Sequence, residues 1–325
     1  MSIFEERKHY KPFIYGDLVK PLIEAMWKGH WTNLEFDFKS DKQDYHTKLS
    51  SEEQELIKRA ILMISQVEVA VKSYWSNIGK LLPHPEIGDM GGVFGGIEVI
   101  HSWAYSEILA QLGFEDEFEK MLKEPIIKGR VDYLSKYVNK IYKNDRKNIV
   151  YSLILFTIFI ENISLFSQFH TILGFNRYRN VLKDVGNVVA YTSKEEALHA
   201  EGGMALIRQI RKEHPELFDQ ELEDKIYQEV QEAVRAEGEI IKWILQGYQN
   251  EFISEEILNN FLKDRLNTSL TQIGYDKQFE IDTDLLEVSS FMKEEIYAPT
   301  LTDFFHQRPI DYQKKSQKFS DETLF

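Results

Sequence analysis

The chain has 325 residues, of which 43% are hydrophobic and 28% charged, a composition typical of a globular protein with a sizeable core. Lys and Arg number 39 against 53 Asp and Glu, and the net charge of −14 argues against non-specific binding to nucleic acids. Cysteine is absent, which excludes disulfides, thiolate metal sites and a thiol nucleophile. The N-terminus lacks the basic-then-apolar pattern of a signal peptide, so we expect a cytoplasmic protein.

The first part of the chain predicts a short helix over Leu18–Trp27, an extended stretch over residues 31–38 and then a long helix. Two serines followed by two glutamates at residues 50–53 are typical of a helix N-terminus. Pro83 ends this helix, because proline cannot continue it. Its apolar stripe contains one acid, Glu68.

A glycine-rich stretch at residues 91–96 is predicted to precede the next helix. No Gly-Lys-Ser/Thr follows, which disfavours a phosphate-binding loop, and close approach of helices is the preferred interpretation. The helix that follows carries Glu98 and His101 one turn apart on its apolar stripe, with Tyr105 one turn further along the same face.

Residues 149–169 are apolar almost throughout, except for Glu161 and Asn162 in the middle. A helix that is apolar on all sides is either a buried core helix or a membrane span. The central glutamate and the amphipathic neighbouring segments favour the core helix. Further helices are predicted over about 124–142 and 222–248, and no stretch alternates like a strand.

A long helix near the middle of the chain places Glu196 and His199 on one face. The rest of that face is apolar or small, comprising Val189, Thr192, Gly203, Leu206 and Ile210. A buried carboxylate and imidazole need a strong partner, because unpaired buried polar groups are costly, and a metal ion is one such partner. For either Glu-x-x-His pair alone, a core histidine with ordinary hydrogen bonds is an equally good interpretation.

The combination of four helices favours the metal. Four buried carboxylates would repel one another unless cations lay between them. One Glu from each of two helices and a Glu-x-x-His from each of two others form the ligand set of ferritin-like dimetal proteins, which suits iron or manganese. The sequence therefore predicts an all-α, ferritin-like bundle with a dinuclear metal site whose ligands are Glu68, Glu98, His101, Glu161, Glu196 and His199.

Several motifs in order along the chain extend this pattern. Trp31 begins the run Trp-x-x-x-Glu-x-Asp, and residues 98–105 read Glu-x-x-His-x-x-x-Tyr. Glu195 is the acid that precedes the second ligand pair, and Tyr312 ends a polar segment near the C-terminus. Together these motifs resemble the small, radical-generating beta subunit of class I ribonucleotide reductase over nearly the whole chain.

The resemblance implies a ferritin-like domain over residues 1–306 whose Fe/Fe, Mn/Mn or Mn/Fe centre is activated by an oxygen species. The stored oxidising equivalent would pass to a large catalytic subunit, which reduces ribonucleotides to deoxyribonucleotides. The catalytic residues of storage and transfer would be Tyr105, Trp31, Glu195 and Tyr312.

Residues 307–325 would form a flexible tail that docks on the large subunit, and a homodimer is expected, without nucleic-acid or membrane partners. The absence of cysteine agrees with this division of labour. Ribonucleotide reduction in this family uses a cysteine radical and a cysteine pair, so substrate reduction must take place on the other chain.

The sequence departs from the family pattern at several positions. Glu68 stands where Asp is usual, and Lys72 at i+4 would either contact that carboxylate or face solvent. Glu195 replaces the usual Asp, and His306 takes the place of a glutamate near the tail tyrosine. We hypothesise from the first two departures that the oxidised metal pair itself holds the oxidant, with Tyr105 a bystander.

Two other functions compete with this interpretation. A ferritin-like oxidase acting on its own small or lipid-like substrate would need neither the Trp31 nor the Tyr312 segment. Metal storage, or a helical interaction protein, would need no radical route, and storage bundles are usually much shorter. The isolated chain should be inactive on ribonucleotides if the preferred interpretation is right.

Overall fold

The computed structural model describes residues 2–9, 11–129 and 145–297, and for residues 68–72 it describes the backbone only. This part of the chain is helical and contains no strand, as predicted. The predicted domain boundary at residue 306 and the predicted tail over 307–325 lie outside the described residues.

Twelve helices of the described ranges are numbered in chain order. The first extends the predicted Leu18–Trp27 helix at both ends, and the helix predicted over 222–248 begins two residues earlier and ends three residues earlier than predicted. The twelve helices are α1 (Gly16–Lys28), α2 (Lys39–Thr47), α3 (Ser51–Leu81), α4 (Pro85–Leu112), α5 (Glu115–Met121), α6 (Arg146–Leu155), α7 (Phe166–Arg179), α8 (Lys183–Glu213), α9 (Gln220–Leu245), α10 (Glu255–Gln272), α11 (Thr283–Val288) and α12 (Ser290–Tyr297). Residues 125–129 are also helical, and the remainder of the helix predicted over 124–142 is outside the described residues.

The start of α3 is the predicted one. The Ser50 hydroxyl accepts a hydrogen bond from the Glu53 amide at 3.2 Å, and the Ser50 amide donates to Glu53 Oε2 at 2.8 Å. This reciprocal pair satisfies two backbone donors that the first turn of a helix leaves free. The stretch predicted as extended over 31–38 is only partly so, because Asn33–Glu35 forms a 3₁₀ turn.

The glycine-rich residues do not precede α4 but lie inside it, so that prediction was wrong. α4 begins at Pro85, whose fixed φ suits the first turn of a helix. The preferred interpretation of the glycines holds at Gly91, where a Cβ would overlap the Trp75 carbonyl and the Ile78 side chain. The absence of a side chain at Gly91 lets α4 pack closely on α3, and this packing offsets the low helix propensity of glycine.

The apolar segment predicted as one helix is interrupted. α6 passes into a π-helical turn at Phe156–Ile160, a further turn covers residues 161–165, and α7 follows. The Glu161 amide donates to the Phe156 carbonyl at 3.2 Å, five residues back instead of four. Arg265 of α10 donates from Nε to the Asn162 carbonyl at 2.9 Å, which satisfies a group that the interruption leaves without a helical partner.

The core therefore lies between four segments: α3, α4, α8 and the interrupted stretch from α6 to α7. α3 and α4 pack along each other, and α8 contacts α4, α7 and the π-helical turn. Among the described residues, no helix is both long and apolar enough to cross a lipid bilayer. Glu98 and His101 of α4, Glu161 of the interrupted stretch, and Glu196 and His199 of α8 are thus buried in a protein interior.

Candidate metal centre

The inward face of α8 is buried along its length, as its periodicity predicts. All seven residues of the predicted stripe are buried, and Glu196 and His199 lie among them. On α4, Glu98 and His101 are buried as well. The structure therefore brings two Glu-x-x-His pairs into one interior from two facing helices.

The two histidines share two carboxylates. His101 Nδ1 lies 3.4 Å from Glu98 Oε2 and 3.1 Å from Glu196 Oε1. His199 Nδ1 lies 2.9 Å from Glu98 Oε1 and 3.4 Å from Glu196 Oε2. Each carboxylate therefore turns one oxygen toward each imidazole, so both carboxylates span two neighbouring positions.

Glu161 joins the His199 side of this arrangement. Its Oε2 lies 3.3 Å from His199 Nδ1, and its Oε1 accepts a hydrogen bond from Trp75 Nε1 at 2.8 Å. Ligand atoms of Glu98, Glu161, Glu196 and His199 all lie within 4.8 Å of one another. This spacing is compatible with one cation contacting all four groups.

The protonation of the cluster reflects its burial. Burial raises the pKa of Glu161 well above its usual value, and the adjacent Glu196 carboxylate raises it further. Burial also opposes ionisation of Glu196, but hydrogen bonding with Glu161, His101 and His199 holds its pKa below the usual range.

At His199, burial would lower the pKa, but the carboxylates of Glu161, Glu196 and Glu98 raise it well above the ordinary value. In the metal-free chain, the raised pKa values of Glu161 and His199 favour their protonated forms, which offset part of the negative charge of the cluster. Cations can replace those protons.

The donor set fits a pair of hard cations. Among the described residues, Glu98 Oε1 and Oε2, Glu161 Oε2 and Glu196 Oε1 are buried without a well-directed hydrogen bond. Buried acceptors of this kind are costly unless another group satisfies them. Carboxylate oxygens with imidazole nitrogens suit iron and manganese, and with no cysteine in the chain no thiolate competes.

A hydrogen-bonded chain leads outward from His101. Glu195 Oε2 lies 2.7 Å from His101 Nε2 and accepts a hydrogen bond from Trp31 Nε1 at 3.0 Å. The Trp31 ring also stacks on the His101 ring, with centroids 6.3 Å apart and planes at 25°. A carboxylate in this position orients the imidazole and joins it to an oxidisable indole.

The remaining predicted site residues are placed as follows. Tyr105 is buried on α4, one turn beyond His101. Glu68 and Lys72 lie within α3, where their side chains are outside the described residues. Tyr312 and His306 also fall outside the described residues.

Trp75 was missed as a site residue. In sequence it belongs to the apolar stripe of α3, where a tryptophan is usually a packing residue. Its indole N–H nevertheless contacts a carboxylate of the cluster. Trp75 differs from an ordinary core residue only in its contact with Glu161, which is distant in sequence, so the sequence alone does not reveal it.

Comparison with known proteins agrees with the family that the sequence motifs resemble. The family model described as "Ribonucleotide reductase, small chain" matches residues 7–285. A probable ribonucleoside-diphosphate reductase small subunit of Invertebrate iridescent virus 6 is 26% identical, over 98% of this chain and 97% of the relative.

Two solved structures share the fold. The ribonucleotide reductase R2 subunit of Clostridium botulinum superposes with a TM-score of 0.77 at 17% identity, covering 85% of this chain and 88% of that chain. The dimanganese(II)-NrdF protein of Streptococcus sanguinis has a TM-score of 0.75 at 16% identity, covering 90% and 100%. The predicted all-α, ferritin-like architecture is confirmed.

The family match extends over most of the chain and contains every buried carboxylate and histidine described above. It decides against the oxidase and storage alternatives. The chain belongs to the family of ribonucleotide reductase small chains and is the beta subunit of a class I ribonucleoside-diphosphate reductase.

Proposed function

We propose that this chain holds a dinuclear metal centre in which Glu98 and Glu196 are the shared ligands of the two ions. His101 would bind one ion, and His199 with Glu161 the other. The observation that carries this assignment is that Glu98 and Glu196 each turn one oxygen toward each histidine. Two cations side by side would satisfy all four of those oxygens.

Glu68 is proposed as the sixth ligand, on the His101 side. In the described residues that side has no terminal carboxylate corresponding to Glu161, while Glu195 contacts the far nitrogen of the imidazole. Glu68 lies seven residues, or two turns, before Trp75 in α3. Trp75 itself reaches the cluster, so this part of α3 runs past the site.

When bound and activated by an oxygen species, the metal pair supplies a one-electron oxidant. The chain's own residues would then carry that oxidising equivalent toward the large subunit. An electron leaving Trp31 can be accompanied by transfer of its indole proton to Glu195 Oε2, which already accepts that hydrogen bond. Tyr312 is proposed as the next oxidisable side chain, on the segment that docks the partner.

Two proposals compete for the site that stores the oxidising equivalent. Tyr105 is buried one turn from His101, which suits a protected phenoxyl radical. Alternatively, the oxidised metals themselves hold the oxidant, as the Glu68 and Lys72 departures led us to hypothesise. A tyrosyl radical signal that disappears together with activity in Tyr105→Phe would refute the second proposal.

Class I small subunits act with a large catalytic subunit, and we propose that residues 307–325 make that contact. Support comes from the tail sequence, which is polar and ends in Thr-Leu-Phe, an apolar tip suited to a groove. A synthetic peptide of residues 307–325 should inhibit the reconstituted enzyme by competition. The homodimer and the cytoplasmic location remain predictions from the sequence.

The decisive experiment joins metal analysis with low-temperature electron paramagnetic resonance on chain activated in the presence of its large subunit. Two irons per chain with a tyrosyl signal would assign storage to Tyr105. Two manganese ions, or one of each, with a coupled metal signal and no tyrosyl line would assign it to the metals. Active protein containing zinc or no metal would contradict the proposed dinuclear centre.

A further inference from the structure

The two sides of the cluster differ in how they are supported from outside. On one side, Glu195 contacts the far nitrogen of His101 at 2.7 Å. On the other side, His199 Nε2 has no hydrogen-bond partner among the described residues, and its ring packs against Phe94 with centroids 4.4 Å apart. On this side the contact from outside is made to a carboxylate and not to the imidazole: Trp75 donates a hydrogen bond to Glu161.

The backbone at Glu161 does not by itself fix that carboxylate. Glu161 follows the π-helical turn and begins the interrupted stretch over 161–165. Its amide bonds five residues back to Phe156, and the next carbonyl, at Asn162, bonds to Arg265. Because the regular helix is interrupted at this position, we argue the orientation of the carboxylate from its own contacts.

Trp75 is held rigidly enough to supply that contact. Its ring is fully buried and meets Phe94 and Phe156 edge-on, with centroids 5.0 and 5.6 Å apart. The α3 backbone at Trp75 is packed directly against Gly91 of α4. The indole N–H therefore points at a fixed place, where it meets Glu161 Oε1 at 2.8 Å.

The two oxygens of Glu161 consequently have different surroundings. Oε1 accepts the Trp75 hydrogen bond, whereas Oε2 faces His199 Nδ1 at 3.3 Å and has no well-directed hydrogen bond in the described part of the chain. A carboxylate held in this way offers one oxygen, and not both, to an ion beside His199.

We propose that Trp75 is a positioning residue that fixes Glu161 with Oε2 toward the ion on the His199 side. It does for Glu161 what Glu195 does for His101, by contacting a ligand from outside. The inference rests on the proposed dinuclear centre, and it adds a residue from α3 that is not itself a ligand.

The test removes only the N–H. Trp75 is replaced by 3-benzothienylalanine, in which sulfur takes the place of the indole N–H and the bicyclic shape is kept. Binding of Mn²⁺ to the full-length, metal-free chain is then followed by the paramagnetic resonance signal of the free ion. We expect one of two Mn²⁺ sites to weaken by roughly 10- to 100-fold, the usual effect of losing an outer-shell contact, and the other to stay within about threefold of wild type.

Trp75→Phe should show the same selective weakening, and the resonance spectrum of the fully loaded Mn²⁺ pair should change in both variants. Trp103→Phe is the matched control, because Trp103 lies on α4 but is 65% exposed, and it should bind both ions like wild type. An unchanged spectrum of the loaded pair in Trp103→Phe would show that replacing an exposed tryptophan does not by itself alter the site.

Unchanged binding constants and an unchanged spectrum in the benzothienylalanine variant would overturn the proposal. Equal weakening of both sites would also count against it, since the described ligands that lie near Trp75, Glu161 and His199, are both on one side of the cluster. Failure of the wild-type chain to bind two Mn²⁺ ions would be a different result, because it would contradict the dinuclear centre itself.

Discussion

A single carboxylate, Glu195, connects a candidate metal ligand to an indole. Its Oε2 contacts both His101 Nε2 and Trp31 Nε1. Substitutions can therefore separate its support of the metal ligand from its contact with the indole. The carboxylate orients the imidazole of His101 and accepts a hydrogen bond from the indole N–H of Trp31.

The first prediction compares Glu195→Ala with Trp31→Phe. Glu195→Ala should lower metal affinity or activity by about 10- to 100-fold, because a ligand loses its outer support. Trp31→Phe should keep two metals per chain and lose ribonucleotide reduction with the large subunit, because phenylalanine is far harder to oxidise. Metal analysis and turnover assays on both variants provide the check, and a fully active Trp31→Phe would exclude Trp31 from the route.

His170 provides a second prediction at the scale of one residue. It is fully buried between Phe261 and Phe291, and its Nε2 lies 3.0 Å from Ser289 Oγ. Burial lowers the pKa of His170 to about 3, against about 6.5 in the unfolded chain. The depressed pKa in the folded state means that its contribution to stability is fully present above pH 6.5 and is lost as pH falls toward 3.

Metal-free wild type should therefore lose up to about 1.4 kcal/mol of unfolding free energy per pH unit from this group below pH 6.5. His170→Asn should show a shallower slope over that range in urea unfolding curves. The control is His30→Asn at an exposed position, which should keep the wild-type slope. Parallel curves for wild type and His170→Asn would contradict the prediction.

At the scale of elements, the approach of α8 to the π-helical turn depends on one glycine. A Cβ on Gly203 would overlap Thr157 Oγ1 and lie 2.9 Å from Thr157 Cβ. Because Thr157 belongs to the π-helical turn that directly precedes Glu161, a displacement of this turn would also move Glu161.

Gly203→Ala should cost about 1–3 kcal/mol of unfolding free energy through overpacking and should also weaken metal binding. Gly96→Ala in α4 is the matched control, since nothing lies within 4 Å of a Cβ there. It should leave metal binding unchanged and stabilise the chain slightly, because alanine favours helix more than glycine. Chemical unfolding and Mn²⁺ titration of both variants test this prediction. Equal changes in unfolding free energy and metal affinity in the two variants would contradict it.

The elements also show what the sequence could predict. Each Glu-x-x-His pair lies within one helix, so its spacing is local and its burial follows from the periodicity around Glu98 and Glu196. The interruption at 156–165 depends on Gly203 in α8 and Arg265 in α10, which are distant in sequence. The glycines of α4 were misplaced for a similar reason, because their effect comes from packing on α3.

At the scale of the whole molecule, metal binding should be linked to pH and to stability. The raised pKa values of Glu161 and His199 mean that the metal-free folded chain holds protons which cations must displace. Lowering the pH should therefore weaken Mn²⁺ binding, by about tenfold per pH unit for each proton released.

Two measurements check this linkage. Addition of Mn²⁺ to weakly buffered, metal-free chain should release protons, detected with a pH indicator. At one hundred times the dissociation constant, the metal should raise the unfolding free energy by about 2.7 kcal/mol. Binding without proton release near neutral pH would contradict the assigned protonation of the cluster.

The distribution of the five tryptophans has a practical consequence. Trp31 and Trp75 are buried, and each donates its indole N–H to a carboxylate at or beside the cluster. Trp27 and Trp103 are exposed on the surface. Paramagnetic ions quench the emission of nearby indoles, so loading should dim the blue-shifted, buried component of the fluorescence and spare the red-shifted one. Intrinsic tryptophan fluorescence should therefore report metal occupancy without any added label.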